Sequence, residues 1–136
     1  MCGGALYTFD DQAIKVFFPN PKAKLPVRKR DGSNILLSWG RRREQTGNLP
    51  LGGWARLESI KKGIWDKYFP KSVILPINSF MEKDFENQSQ WFTIPDGQYI
   101  QGLIARYDSE VRVYVVTIQP EKQPYERWPR IVSESL

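Results

Sequence analysis

The chain has 136 residues, is 40% hydrophobic and 13% aromatic, carries a formal charge of +5, and contains one cysteine and no histidine. That length fits a single domain over 1–136, one cysteine rules out an internal disulfide, and the absence of histidine excludes Ser-His-Asp triads, Cys-His dyads and HExxH zinc sites. No apolar run approaches the roughly 20 residues of a bilayer-spanning helix, and no basic stretch leads into an apolar one at the start, so a cytoplasmic protein without membrane association is expected.

In chain order, the first strand signal is 13–18, halted by Pro19 and Pro21. Residues 19–30 then read as a proline-rich and lysine-rich loop, and Asp31-Gly32 as a turn into an apolar strand over 34–39. A second loop follows over 40–53, basic at Arg41, Arg42 and Arg43 and glycine-rich at its end. Leu57, Ile60, Ile64, Trp65 and Tyr68 repeat at helical spacing, which predicts a helix over 55–69 ended by Pro70. The nearly continuous apolar run 73–77 predicts a buried strand. Strands over 91–94 and 99–106 flank Asp96-Gly97, a dipeptide suited to a tight hairpin, and Asp108-Ser109 turns the chain into a last strand over 111–118. Strands dominate, with one main helix.

Charge is concentrated at the front. Residues 1–43 hold nine Lys and Arg against three Asp, whereas the remainder holds eleven basic and twelve acidic residues. A polyanion partner explains that asymmetry, and so does a solubilising surface.

The residue with distinctive chemistry is Cys2. Initiator methionine is removed ahead of small residues, and the chain would then begin with an α-amine of pKa near 8 on the carbon next to the one bearing the thiol. An amine attacks an aldehyde to form a Schiff base, and a neighbouring thiol closes a thiazolidine ring on it. On a polyanion, the aldehyde is the ring-opened sugar of an abasic site in DNA. Glu82, just after the apolar run, is a candidate acid or base whose pKa burial would raise; an ordinary strand-end acid fits the same position. Arg56 is a candidate phosphate fork, and Arg41 to Arg43 are candidate diffuse backbone contacts. Of the five tryptophans, Trp39, Trp65 and Trp91 fall on apolar faces and read as core. Trp54 and Trp128 stand in loop-like sequence, where an indole can stack on an unpaired base.

Taken in order, these fragments resemble the SOS-response-associated peptidase (SRAP) family. Met1-Cys2-Gly3-Gly4 is similar to the family's Met-Cys-Gly-Arg start, Trp39-Gly40 to its Trp-Gly pair, and Trp54-Ala55-Arg56-Leu57-Glu58-Ser59 to its Asn-Ala-Arg-x-Glu-Thr motif. Residues 74–83, with Pro76, Phe80 and Glu82, resemble its Leu-Ile-Pro-Ala-Asp-Gly-Phe-Tyr-Glu-Trp stretch. Its closing His-x-Arg-x-Pro motif aligns with Tyr125-Glu126-Arg127-Trp128-Pro129. The resemblance implies an α+β fold of mostly antiparallel coiled sheets forming a partly closed pseudo-barrel. It also implies single-stranded DNA binding with covalent capture of abasic sites in the DNA damage response, by a monomer needing no metal or cofactor. Cys2, Glu82 and Tyr125 would form the catalytic set, with Trp39, Arg41, Arg42, Arg43, Trp54, Arg56 and Arg127 facing DNA. The peptidase label would reflect self-removal of a leader consisting only of Met1. Three departures count against full activity: Gly4 stands at the family's arginine, Trp54 at its asparagine and Tyr125 at its histidine. A catalytically degenerate relative that binds DNA or protein without chemistry is the alternative, and a small β protein unrelated to DNA is a third.

Overall fold

The structure, a computed structural model, describes residues 2–120, 125 and 127–133, with residue 2 described by its backbone alone. Strand accounts for 54% of it. The strands form three separate sheets, none closed into a barrel, so the α+β, sheet-rich expectation holds and the pseudo-barrel does not.

The first sheet has the order β2-β1-β7-β8. Its strands are β1 (Cys2–Phe9), β2 (Gln12–Phe17), β7 (Ser79–Lys83) and β8 (Ser89–Thr93), all antiparallel. Asp10 and Asp11, both at positive φ, turn β1 into β2. A small two-stranded sheet pairs β3 (Lys24–Arg28) with β4 (Asn34–Ser38). The six-stranded sheet is built on the long hairpin of β9 (Gln98–Tyr107) and β10 (Glu110–Ile118). Beside β10 lie β5 (Trp54–Arg56), parallel, and β11 (Trp128–Pro129); beside β9 lie β6 (Lys71–Leu75) and β12 (Ile131–Ser133).

Three expectations fail. The helix predicted over 55–69 shrinks to α1 (Leu57–Lys61), followed after Gly63, at positive φ, by a 3-10 turn at Asp66–Tyr68. Its apolar spacing is satisfied all the same, because Trp65 stacks edge-on against Tyr114 of β10 with ring centroids 4.9 Å apart. Asp96-Gly97 does not close a hairpin either: β8 pairs with β7 and β9 with β10, so this turn carries the chain from one sheet to another. The predicted loop over 19–30 contains β3, whose Leu25, Pro26 and Val27 are buried.

The main core lies between the sheets and holds Ala5, Tyr7, Leu25, Trp39, Leu75, Phe80, Ile100 and Val115. A second cluster of Leu49, Ala55, Trp65, Leu103 and Tyr114 lies against α1. Among the described residues, no helix is long and apolar enough to cross a membrane.

Candidate functional site

The two central strands of the first sheet bring together the residues singled out for chemistry. In the β1–β7 ladder Cys2 is the register partner of Glu82, with a bulge between Cys2 and Gly4. Directly opposed residues of an antiparallel pair have α carbons only about 4.5–5.5 Å apart. The amine proposed for catalysis is a backbone atom, so the ladder alone sets its position relative to Glu82. The thiol of Cys2 and the fate of Met1 lie outside what the structure describes.

Glu82 is completely buried. Its strand neighbours Phe80 and Met81 are buried too, and β7 is covered on both edges by β1 and β8. Withdrawal from water disfavours the carboxylate, and burial pushes the Glu82 carboxyl up to about 7. A group with that value is divided between acid and base near neutral pH, the condition for moving protons in both directions.

Pleat alternation separates the two faces of β7. On the face shared by Phe80 and Glu82, Phe80, Phe92 and Trp128 form an aromatic cluster, and Tyr125 packs on Phe92 and Trp128 with centroids 5.7 and 5.0 Å apart. Trp128 is thus half-buried in an aromatic cluster, which accounts for its place in the sequence. On the other face, Met81 and Lys83 line a groove of about 580 Å³ whose walls are Phe17, Phe18, Trp54 and Phe85 and whose end is Gly3, next to Cys2. Phe85 is 63% exposed there. The groove is therefore aromatic, open, and adjacent to the start of β1.

The supporting residues divide sharply. Trp39 is fully buried and donates its indole N–H to the Gly53 carbonyl at 3.0 Å; it belongs to the core, which corrects its assignment as a DNA contact. Gly53 permits this approach, since a Cβ there would meet Trp39 Nε1 and Phe18 at 2.7 Å. Arg42 is also buried: it donates to the carbonyls of Phe18 and Trp39 at 2.6 Å and lies 4.0 Å from the Phe18 ring centroid. Arg127 is buried, paired by both terminal nitrogens with Glu58 at 2.9 and 3.0 Å and bonded to Thr117. That pairing holds the Glu58 carboxyl down at about 2. Arg42 and Arg127 are braces, and a buried guanidinium already bonded to the protein's own carbonyls or carboxylate is not offered to phosphate. Arg41 is half-buried and braces its loop through the Gln45 and Leu49 carbonyls. Arg43 and Arg56 remain exposed.

Gly4 and Trp54 are each accounted for by local packing. Gly4 sits under Phe17, and a Cβ would meet Phe17 and Met81 at 3.2–3.3 Å. Trp54 packs on Phe18 at 4.8 Å between centroids and forms a groove wall. The residues missed by sequence reasoning are Phe17, Phe18, Met81, Lys83 and Phe85. An available signal was the alternation Ala5, Tyr7, Phe9 ahead of Asp10-Asp11, which marks β1 and hence the hairpin that carries Phe17. Compared with family models, with curated proteins and with solved structures, the chain has no match in any of the three.

Proposed function

We propose that the protein binds single-stranded DNA and captures abasic sites covalently through Cys2, as the resemblance to the SRAP family implies. The observation that carries this reading is the register that sets the Cys2 backbone nitrogen across one ladder from Glu82, a buried carboxyl poised near neutrality. In the chain beginning at Cys2, the amine adds to the open-sugar aldehyde and Glu82 supplies the proton with which the hydroxyl departs as water. The thiol sulfur then adds to the carbon of the resulting iminium, closing the thiazolidine, and the thiol proton returns to the Glu82 carboxylate. The aromatic groove ending at Gly3 offers stacking surface to unpaired bases beside the lesion.

Incubation with an abasic single-stranded oligonucleotide tests this by denaturing gel and intact mass. The expected product is protein lacking Met1 plus oligonucleotide minus one water, abolished by Cys2→Ala. The competing reading, a non-catalytic binding module, is favoured by Gly4, which has no side chain, and by Trp54 and Tyr125, which pack on other rings, at three positions where the family carries polar groups. Binding to the oligonucleotide with no such adduct selects it.

A further inference from the structure

A second groove, sharing no lining residue with the aromatic one, runs between the β3–β4 hairpin and the β6–β9 ladder. Its volume is about 860 Å³, and among the described residues its lining includes Arg28, Lys29, Arg30, Lys71 and Arg106 but no Asp or Glu. We infer that this groove is a separate contact for the phosphate backbone of a nucleic acid strand, read without regard to base.

The placement follows from the sheets. Lys71 opens β6 opposite Ile104, and Arg106 lies two residues along β9 from Ile104, so the two cations are brought to one region by the ladder. The hairpin supplies the other wall. Arg28 is held there by its Nε bond to Asn34 at 2.9 Å, with its guanidinium 5.4 Å from the Tyr99 ring centroid. Lys29, Arg30, Lys71 and Arg106 are exposed, and among the described residues none of these four forms an ion pair. The one acid in the hairpin, Asp31, is exposed and accepts the backbone N–H and hydroxyl of Ser33, so the five cations of the groove outnumber it.

The floor decides the kind of partner. Val73 and Ile104 are 8% and 5% exposed, so cations rim a shallow apolar trough. One sign of charge above low-dielectric walls focuses the field on a polyanion. A flat bilayer would need several protruding apolar groups, whereas of the apolar residues lining this groove Ile35 alone is exposed, at 36%. Among the described residues no aromatic ring lines the trough, which separates phosphate contact here from base stacking in the other groove. The choice of nucleic acid as the polyanion rests on the function proposed above, whereas the groove's binding does not require Cys2 chemistry.

The test uses a labelled single-stranded oligonucleotide with every base intact, so that failure of covalent capture leaves it unaffected. Binding is followed by fluorescence anisotropy across a salt series. Replacing Lys29, Arg30 and Lys71 together by Ala is expected to weaken binding roughly 10- to 100-fold near 0.1 M salt and to lower the salt slope by about 2, at about 0.7 per phosphate contact on a single strand. The charge-keeping triple K29R, R30K and K71R is expected to bind as the parent does. Thermal melting checks the fold, and Lys71→Glu alone supplies the same readout should the alanine triple melt early. An unchanged affinity and slope in a folded triple variant overturns the inference. So does equal or tighter binding to poly-glutamate or to vesicles of anionic phospholipid.

Discussion

Cys2 and Glu82 are register partners across the β1–β7 ladder, one at the first position of an edge-protected strand and the other fully buried in its neighbour. The carboxyl is held where water cannot stabilise its charge, and the backbone nitrogen opposite is fixed by hydrogen-bonded sheet rather than by a loop. In the proposed reaction that arrangement would separate two jobs: positioning by the ladder and proton transfer by the side chain.

Replacing Glu82 by Gln tests the second job. The rate of adduct formation with abasic oligonucleotide is expected to fall by about 10²- to 10⁴-fold, the range for loss of one acid-base group. Affinity for an intact strand should be unchanged. In the parent, the reaction needs the Glu82 acid, with its carboxyl near 7, and the free amine, with a pKa near 8. A rate maximum between about pH 7 and pH 8 is the expected profile, measured by gel time courses at each pH.

The same carboxyl makes stability pH-dependent. In the unfolded chain it titrates at 4.5, and in the fold at about 7. The fold therefore binds the extra proton between these values, and stability is full below about pH 4.5 and is lost as pH rises toward 7. A change of that size corresponds to about 3 kcal/mol. Urea unfolding at pH 5 and pH 8 should show the parent losing that much more than Glu82→Gln; equal losses would contradict the assignment.

Phe85 tests the aromatic groove with little risk to the fold, because its ring is 63% exposed. Phe85→Ala is expected to weaken binding to an intact single strand by about 1–3 kcal/mol, the usual worth of one stacked base. Its melting temperature should match the parent's.

Arg127 and Arg43 separate brace from surface. Arg127→Ala leaves the buried Thr117 without its side-chain partner, while the exposed Glu58 is rehydrated, and should destabilise by about 1–3 kcal/mol, with the salt slope of DNA binding unaltered. Arg43→Ala should leave unfolding within about 0.5 kcal/mol of the parent. Denaturant curves for the two variants decide the matter.

Much of the fold was legible where the sequence punctuates itself. Pro19, Asp108-Ser109 and the β-branched run of β10 mark real boundaries. Asp96-Gly97 misled because a turn dipeptide fixes local direction and not which strands pair, and pairing is settled by burial on the two sheets. The long helix failed because apolar spacing records which residues are buried, and Trp65 and Tyr68 reach the core from a 3-10 turn as well as from a helix. For the site, the sequence singled out Cys2 and Glu82 for their chemistry, and the fold makes them register partners. Trp39, Arg42 and Arg127 were misread as DNA-facing, since a cation or indole in a motif looks the same whether it meets solvent or a buried carbonyl.

Phe17, Gly4, Met81 and Trp91 stand in one row across the first sheet, and over the gap at Gly4 the Phe17 and Trp91 rings approach to 6.1 Å between centroids. The side chains of two outer strands have in effect grown together above a position that has none. Sequence changes along this row are consequently interdependent: an arginine restored at residue 4 would be tolerated only after smaller groups had replaced its neighbours at 17 and 81. The route from this surface to a phosphate-gripping one passes through several substitutions that make sense only in company.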